Sequence, residues 1–255
     1  MDNVKITIND IGLTPILIYL PGIHGDASLG KEFRKFIAGK ICFVEIEYPP
    51  NEHWELDDYA NSIISALNLI GIKECWLLAE SFGSQVSFAI ASKNCDIKFN
   101  GIILAGGFVR HPVIIGVRIV KWITKLMPMC LVKLWLKVYV AVCKIFFKRE
   151  RKDKKIIKDF ARNRIDDADR RAIVKRYELI IKNDLRPIAK ETKIPIYFLA
   201  GRWDVIVPWR PVLNWLKKNC PAFKDYKILN GADHPVIANA PETSAKQILD
   251  WLGVK

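Results

Sequence analysis

The chain has 255 residues, 51% of them hydrophobic and 26% charged. That length holds one substantial domain, or one domain carrying an insertion, and the balance excludes a disordered chain. The net charge of +13 is unevenly placed: residues 109–193 hold 24 Lys and Arg against 9 Asp and Glu, so the rest of the chain is slightly acidic. Six cysteines (Cys42, Cys75, Cys95, Cys130, Cys143 and Cys220) lack C-x-x-C or other metal-ligand spacing. Several sit in apolar runs, where a reduced, buried thiol is expected. Met1–Asp10 has no apolar leader segment, and the apolar run Thr14–Leu20 is short and followed by a Gly-rich turn. A cytoplasmic protein is therefore expected.

From the N-terminus, Val4–Ile8 and Pro15–Leu20 read as strands, and the second runs into the turn Pro21–Asp26. A helical pattern over Gly30–Ala38 and a strand over Ile41–Ile46 follow. Leu56–Ile70 is a helix with an acidic start at Glu55–Asp58 and Ile63, Ile64, Leu67 and Ile70 at helical spacing. Glu74–Ala79 is a strand, Gly83–Ser92 a helix and Gly101–Ala105 a strand. Beyond residue 191 come strand Ile194–Ala200, helix Trp209–Lys218, strand Tyr226–Leu229 and helix Ala240–Leu252. Short, continuous apolar strands alternating with helices predict an α/β fold with a doubly wound, mostly parallel sheet, because helices on both faces remove the need for polar alternation.

Residues 109–191 interrupt this rhythm with helical patterns alone, which divides the chain into a core, 1–108 and 192–255, and an inserted all-helical cap, 109–191. Val113–Phe147 is apolar apart from the series Arg118, Lys121, Lys125, Lys133, Lys137, Lys144 and Lys148, whose spacing keeps it on one helical face; Pro128 divides the run into two helices. No charge-free stretch reaches the roughly 20 residues needed to span a bilayer. Two readings stay open. The apolar sides pack on the core and line an acyl pocket, with the basic face solvated, or the stripe lies against anionic lipid as an interfacial helix. No nucleic-acid recognition motif accompanies the charge, and nucleic acid is not expected as a partner.

The run Ala79-Glu80-Ser81-Phe82-Gly83 joins a predicted strand to a predicted helix. A nucleophile on so sharp a turn stands above the sheet, and the positions two before and two after it must be small. The alternative is a serine that caps a helix. Asp204 follows strand Ile194–Ala200 and precedes Pro208, and His234 follows the last strand. Of the four histidines (His24, His53, His111 and His234) only His234 comes after both Ser81 and Asp204. Asp233 is expected not to be the acid, since adjacent side chains rarely meet across one imidazole.

With these residues the chain resembles the α/β-hydrolase superfamily of serine esterases, lipases and thioesterases, whose G-x-S-x-G motif reads A-E-S-F-G here. The resemblance covers residues 1–108 and 192–255. It implies Ser81 as nucleophile, His234 as base and Asp204 as acid, in the chain order this fold requires. It also implies an oxyanion hole from the Ile23 and Phe82 amides, with Pro21 where relatives commonly carry His. The pairing of Leu20-Pro21-Gly22-Ile23 with Glu80-Ser81-Phe82-Gly83 is also similar to lipid-directed members such as the hydrolase-like part of plant phytyl ester synthases.

The expected chemistry is cleavage of a carboxylic ester or thioester with an apolar acyl chain, through an acyl-enzyme and without a metal or organic cofactor. Candidate substrate-pocket residues are His24, Trp122, Leu134 and Trp135. An acyltransferase using the same acyl-enzyme, or a non-catalytic membrane-associated protein that kept the fold, are the alternatives. Expected partners are a small-molecule or lipid acyl substrate and, on the second reading of the cap, the surface of an anionic membrane.

Overall fold

The computed structural model describes residues 3–126 and 167–254. Strands β1 (Lys5–Asn9), β2 (Ile16–Leu20), β3 (Cys42–Glu47), β4 (Glu74–Glu80), β5 (Lys98–Ala105), β6 (Ile196–Gly201) and β7 (Phe223–Leu229) form one sheet in the order β1-β3-β2-β4-β5-β6-β7. β1 is antiparallel to β3, and every other pairing is parallel. Helices α1 (Lys31–Ile37), α2 (Leu56–Leu69), α3 (Gly83–Ala91), α7 (Trp209–Asn219), α8 (Val236–Asn239) and α9 (Pro241–Trp251) surround the sheet.

Side chains alternate faces along each strand, and both faces are buried. Ile18 and Leu20 of β2 join a core beneath α2, α3 and α7, whereas Leu17 and Tyr19 join a second core beneath α1 and α9. This double burial is why the strands read as unbroken apolar runs. In α2 the inward residues are Leu56, Tyr59, Ala60, Ile63 and Leu67, one helical stripe. Glu55 and Asp58 close a capping box at its start, and Ile70 falls past the helix end, on the surface. β7 begins at Phe223 rather than Tyr226, because Lys224 and Asp225 on this edge strand face solvent and carry no apolar signal. The central strands end at one rim of the sheet, and the site is built there.

Between β5 and β6 the described elements are helical: α4 (Ile114–Leu126), α5 (Asp167–Lys182) and α6 (Arg186–Glu191). α4 packs along α5 and buries Val117, while Ile115, Ile119, Trp122, Ile123 and Leu126 share one outward face. By helical spacing, Arg118, Lys121 and Lys125 lie between that apolar face and the buried seam. Lys121 Nζ and Lys125 Nζ stand 5.3 and 5.6 Å from the Trp122 ring centre. Leu134, Trp135 and the basic series from Lys133 onward lie outside the described residues. Among the described residues no helix is long and apolar enough to cross a membrane. Cys42, Cys75, Cys95 and Cys220 are free thiols.

Candidate active site

β4 delivers Ser81 at the rim of the sheet, and α3 starts two residues later. Ser81 has φ of +48°, a left-handed conformation that costs a non-glycine residue on the order of 1–3 kcal/mol. Hydrogen bonds hold it there. The Ser81 amide donates to the Ala105 carbonyl at 3.1 Å, and the Ser84 amide donates to the Ser81 carbonyl at 3.0 Å. Ser84 Oγ lies 2.6 Å from that carbonyl and accepts the Phe108 amide at 2.9 Å, tying the elbow to the turn after β5. Gly83 has no substitute, since a Cβ there would sit 2.2 Å from the Leu20 carbonyl oxygen.

The turn after β2 closes against the nucleophile. A Cβ on Gly22 would touch the Ser81 Cβ at 3.4 Å. The Gly25 amide donates to the Gly22 carbonyl at 3.0 Å, a β-turn whose own hydrogen bond leaves the Ile23 amide out. The Phe82 amide precedes the first turn of α3, where amides have no intrahelical acceptor.

His234 reaches the same point from the loop after β7. Its Nε2 is 2.9 Å from Ser81 Oγ, and its Nδ1 is 2.8 Å from Asp204 Oδ2. Asp204 follows β6; its Oδ1 accepts the amides of Ile206 at 3.0 Å and Val207 at 2.8 Å. Backbone bonds fasten the two loops together: Arg202 N–H donates to Leu229 O at 2.9 Å and Trp203 N–H to Ala232 O at 3.0 Å. The sequence order thus becomes a hydrogen-bonded row, Ser81 to His234 to Asp204.

Burial by itself disfavours the charged form of His234, but the hydrogen bond and charge of Asp204, with the carboxylates of Glu80 and Asp233, outweigh it and raise the imidazole above its ordinary pKa of 6.5. Glu80 is fully buried beside Ser81 and accepts a hydrogen bond from the Tyr19 hydroxyl. Burial raises its carboxyl, and the Tyr19 bond and His234 only partly offset this. His111 is pushed down to about 4, chiefly by burial and then by the nearby His234 charge. Its Nδ1 accepts the Val113 amide at 3.1 Å, so it is a neutral packing group at pH 7.

Residues 56–241 match the family described as serine aminopeptidase, S33. The chain belongs to this α/β-hydrolase family. No curated protein matches the chain significantly. Solved structures that resemble it include a thermophilic esterase from Thermogutta terrifontis, with 18% identity, 98% of this chain and 93% of that chain covered, and a TM-score of 0.76. The enol-lactonase from Burkholderia xenovorans LB400 has 16% identity, 98% and 96% coverage and a TM-score of 0.78. MenH from S. aureus has 17% identity, 99% and 98% coverage and a TM-score of 0.79. At these identities the likeness is one of fold.

A cleft of about 560 Å³ in this hydrolase runs beside His111, walled by Val109, Val113, Ile115, Val212 and Trp215. Arg110 and Arg186 at its edge both pair with Asp184, at 3.4 and 2.5 Å. Of the pocket candidates, His24 is half-buried in the turn beside Ile23, Trp122 lies on the outward face of α4, and Leu134 and Trp135 fall outside the described residues. Sequence reasoning missed Ser84 and the Tyr19–Glu80 pair. Ser84 was within reach as a small polar residue one step past the elbow glycine. The others meet across long stretches of chain and leave no local pattern.

Proposed function

We propose that this hydrolase cleaves a carboxylic ester or thioester of an apolar acyl group, through an acyl-enzyme on Ser81. The observation that carries this reading is the 2.9 Å approach of His234 Nε2 to Ser81 Oγ, with Nδ1 held by Asp204. His234 takes the Ser81 proton as Oγ attacks the acyl carbonyl, and the Ile23 and Phe82 amides receive the oxyanion. His234 then returns that proton to the departing alcohol or thiol. Water, activated by the same imidazole, attacks the acyl-enzyme and releases the acid, and Ser81 recovers its proton. Asp204 keeps Nδ1 protonated throughout, so Nε2 is free to accept. The cleft beside His111, which Ser81, His234 and Asp204 do not line, has apolar walls and is the surface we assign to the acyl chain. The esterase and lactonase named above agree with acyl–oxygen chemistry.

The test is fluorophosphonate labelling followed by rates on p-nitrophenyl esters of increasing chain length, a matched thioester and an aminoacyl p-nitroanilide. Labelling that requires Ser81, with esters of medium chain outpacing both acetyl ester and anilide, is the expected result. A faster anilide would favour an aminopeptidase, and labelling retained in Ser81→Ala would remove Ser81 as nucleophile.

A further inference from the structure

Arg176 is the largest fully buried side chain among the described residues, 1% exposed. It stands on α5, far from Ser81 in sequence, and its three nitrogens serve three separate segments. Nε donates to Tyr59 Oη of α2 at 3.2 Å, Nη1 to the Ile23 carbonyl at 2.9 Å and Nη2 to the Pro49 carbonyl after β3 at 3.0 Å. The guanidinium carbon also lies 5.5 Å from the Tyr48 ring centre. These hydrogen-bond acceptors are all uncharged. Burying a cation against neutral acceptors is costly, and apolar residues of similar volume often serve stability as well or better. Cohesion alone therefore explains the residue poorly. The contact with Ile23 gives it a different role.

The turn 22–25 is clamped on this guanidinium. Gly25 has φ of +80°, and a Cβ there would stand 2.6 to 2.8 Å from the guanidinium atoms. The Gly25 carbonyl accepts the Tyr48 amide at 2.7 Å. The Ile23 carbonyl thus points at Arg176, while the Ile23 amide, the other end of the same residue, belongs to the turn that closes against Ser81. We propose that Arg176 is a positioning residue that sets the direction of the Ile23 amide and so couples α5 to the oxyanion hole. This rests on the acyl-enzyme reading above. A lysine cannot replace it, because one ammonium on a flexible stem does not reach three acceptors arranged around a plane.

The test compares wild type, Arg176→Lys, which keeps the charge without the planar fork, and Arg176→Met, which removes the charge at similar length. Each is normalised to the fraction that fluorophosphonate labels, so that unfolded protein does not count. Loss of one oxyanion donor lowers kcat on the order of 10²–10³-fold, and misdirecting it is expected to lower kcat per labelled site roughly tenfold to a hundredfold. KM for a p-nitrophenyl ester should change little. Affinity for an alkyl boronic acid, whose tetrahedral adduct places an oxygen in the hole, should fall by the same factor as kcat/KM. Binding of the ester to the corresponding Ser81→Ala double variants should stay within about threefold. Unchanged kcat per labelled site in Arg176→Lys, or ester affinity in the Ser81→Ala double variants that falls as far as boronic acid affinity, overturns the proposal. Failure of wild type itself to label or turn over would instead strike at the acyl-enzyme reading.

Discussion

His234 Nδ1 meets Asp204 Oδ2 at 2.8 Å across 30 residues of sequence, while Asp204 Oδ1 is occupied by the Ile206 and Val207 amides. The two oxygens thus have separate duties: Oδ1 fixes the carboxylate in its loop, and Oδ2 faces the imidazole.

That division predicts how Asp204→Asn fails. The asparagine carbonyl takes the Oδ1 place, where two amides need an acceptor, and its NH2 faces Nδ1. Nδ1 must then accept, Nε2 carries the proton, and the base is lost. Turnover should fall on the order of 10⁴-fold with folding intact. Asp233→Asn, which keeps the hydrogen bonds of this row, should cost far less. Comparable losses in the two variants, measured as kcat on one ester, would dismiss Asp204 as the acid.

The elbow makes a stability prediction. Ser81 is held at φ of +48°, which alanine tolerates no better and glycine adopts freely. Ser81→Gly and Ser81→Ala should both be inactive, with Ser81→Gly more stable by about 1 kcal/mol after its greater unfolded-state entropy is counted. Thermal melts of the two variants decide it. The reverse order would mean that the elbow stores no strain.

The raised pKa of His234 fixes the acidic limb of the pH profile. A base must be neutral, so kcat/KM should rise with pH through a midpoint above 6.5, the ordinary imidazole value. Glu80 contributes to that elevation, so Glu80→Gln, which still offers Tyr19 an acceptor, should move the limb to lower pH. His111, at about 4, is already neutral across this range and should not contribute a second step near neutrality. A limb that stays in place in Glu80→Gln would refute the electrostatic coupling.

How much was readable in advance follows the range of each interaction. β2, β3, β4 and β6 declared themselves because both faces of each are buried, and β5 did so only from Gly101, since Lys98, Phe99 and Asn100 are exposed or half-buried. The first residues of β7 did not, because Lys224 and Asp225 face water. That Ser81, His234 and Asp204 would meet was legible because a single sharp turn constrains Ala79 and Gly83, and because the fold fixes the order of the other two. Tyr19 with Glu80, and Arg176 with Ile23, depend on a tertiary approach that no local spacing encodes. Among the described residues between β5 and β6, the helical character of α4 was readable from the spacing of its apolar and basic residues. Which face meets what was left open, and α4 now gives that question defined residues.

On α4, Ile115, Ile119, Trp122, Ile123 and Leu126 face outward together, flanked by Arg118, Lys121 and Lys125. An apolar face beside a cationic stripe suits the headgroup boundary of an anionic bilayer. Each basic residue near such a surface is worth about 1 kcal/mol, and because Lys121 already pairs with Glu178 at 3.5 Å, changing all three to Gln should weaken vesicle binding roughly thirtyfold, the share of Arg118 and Lys125. The protein should sediment with phosphatidylserine-containing vesicles at low salt and release as salt shortens the Debye length to about 10 Å at 0.1 M. Vesicles of phosphatidylcholine alone should bind weakly. Turnover of a soluble short-chain ester should be unaffected by the three substitutions, since none of these side chains contacts the Ser81–His234–Asp204 row. Equal sedimentation with neutral and anionic vesicles would attribute binding to the apolar face alone, and no sedimentation with either would leave α4 without a membrane role.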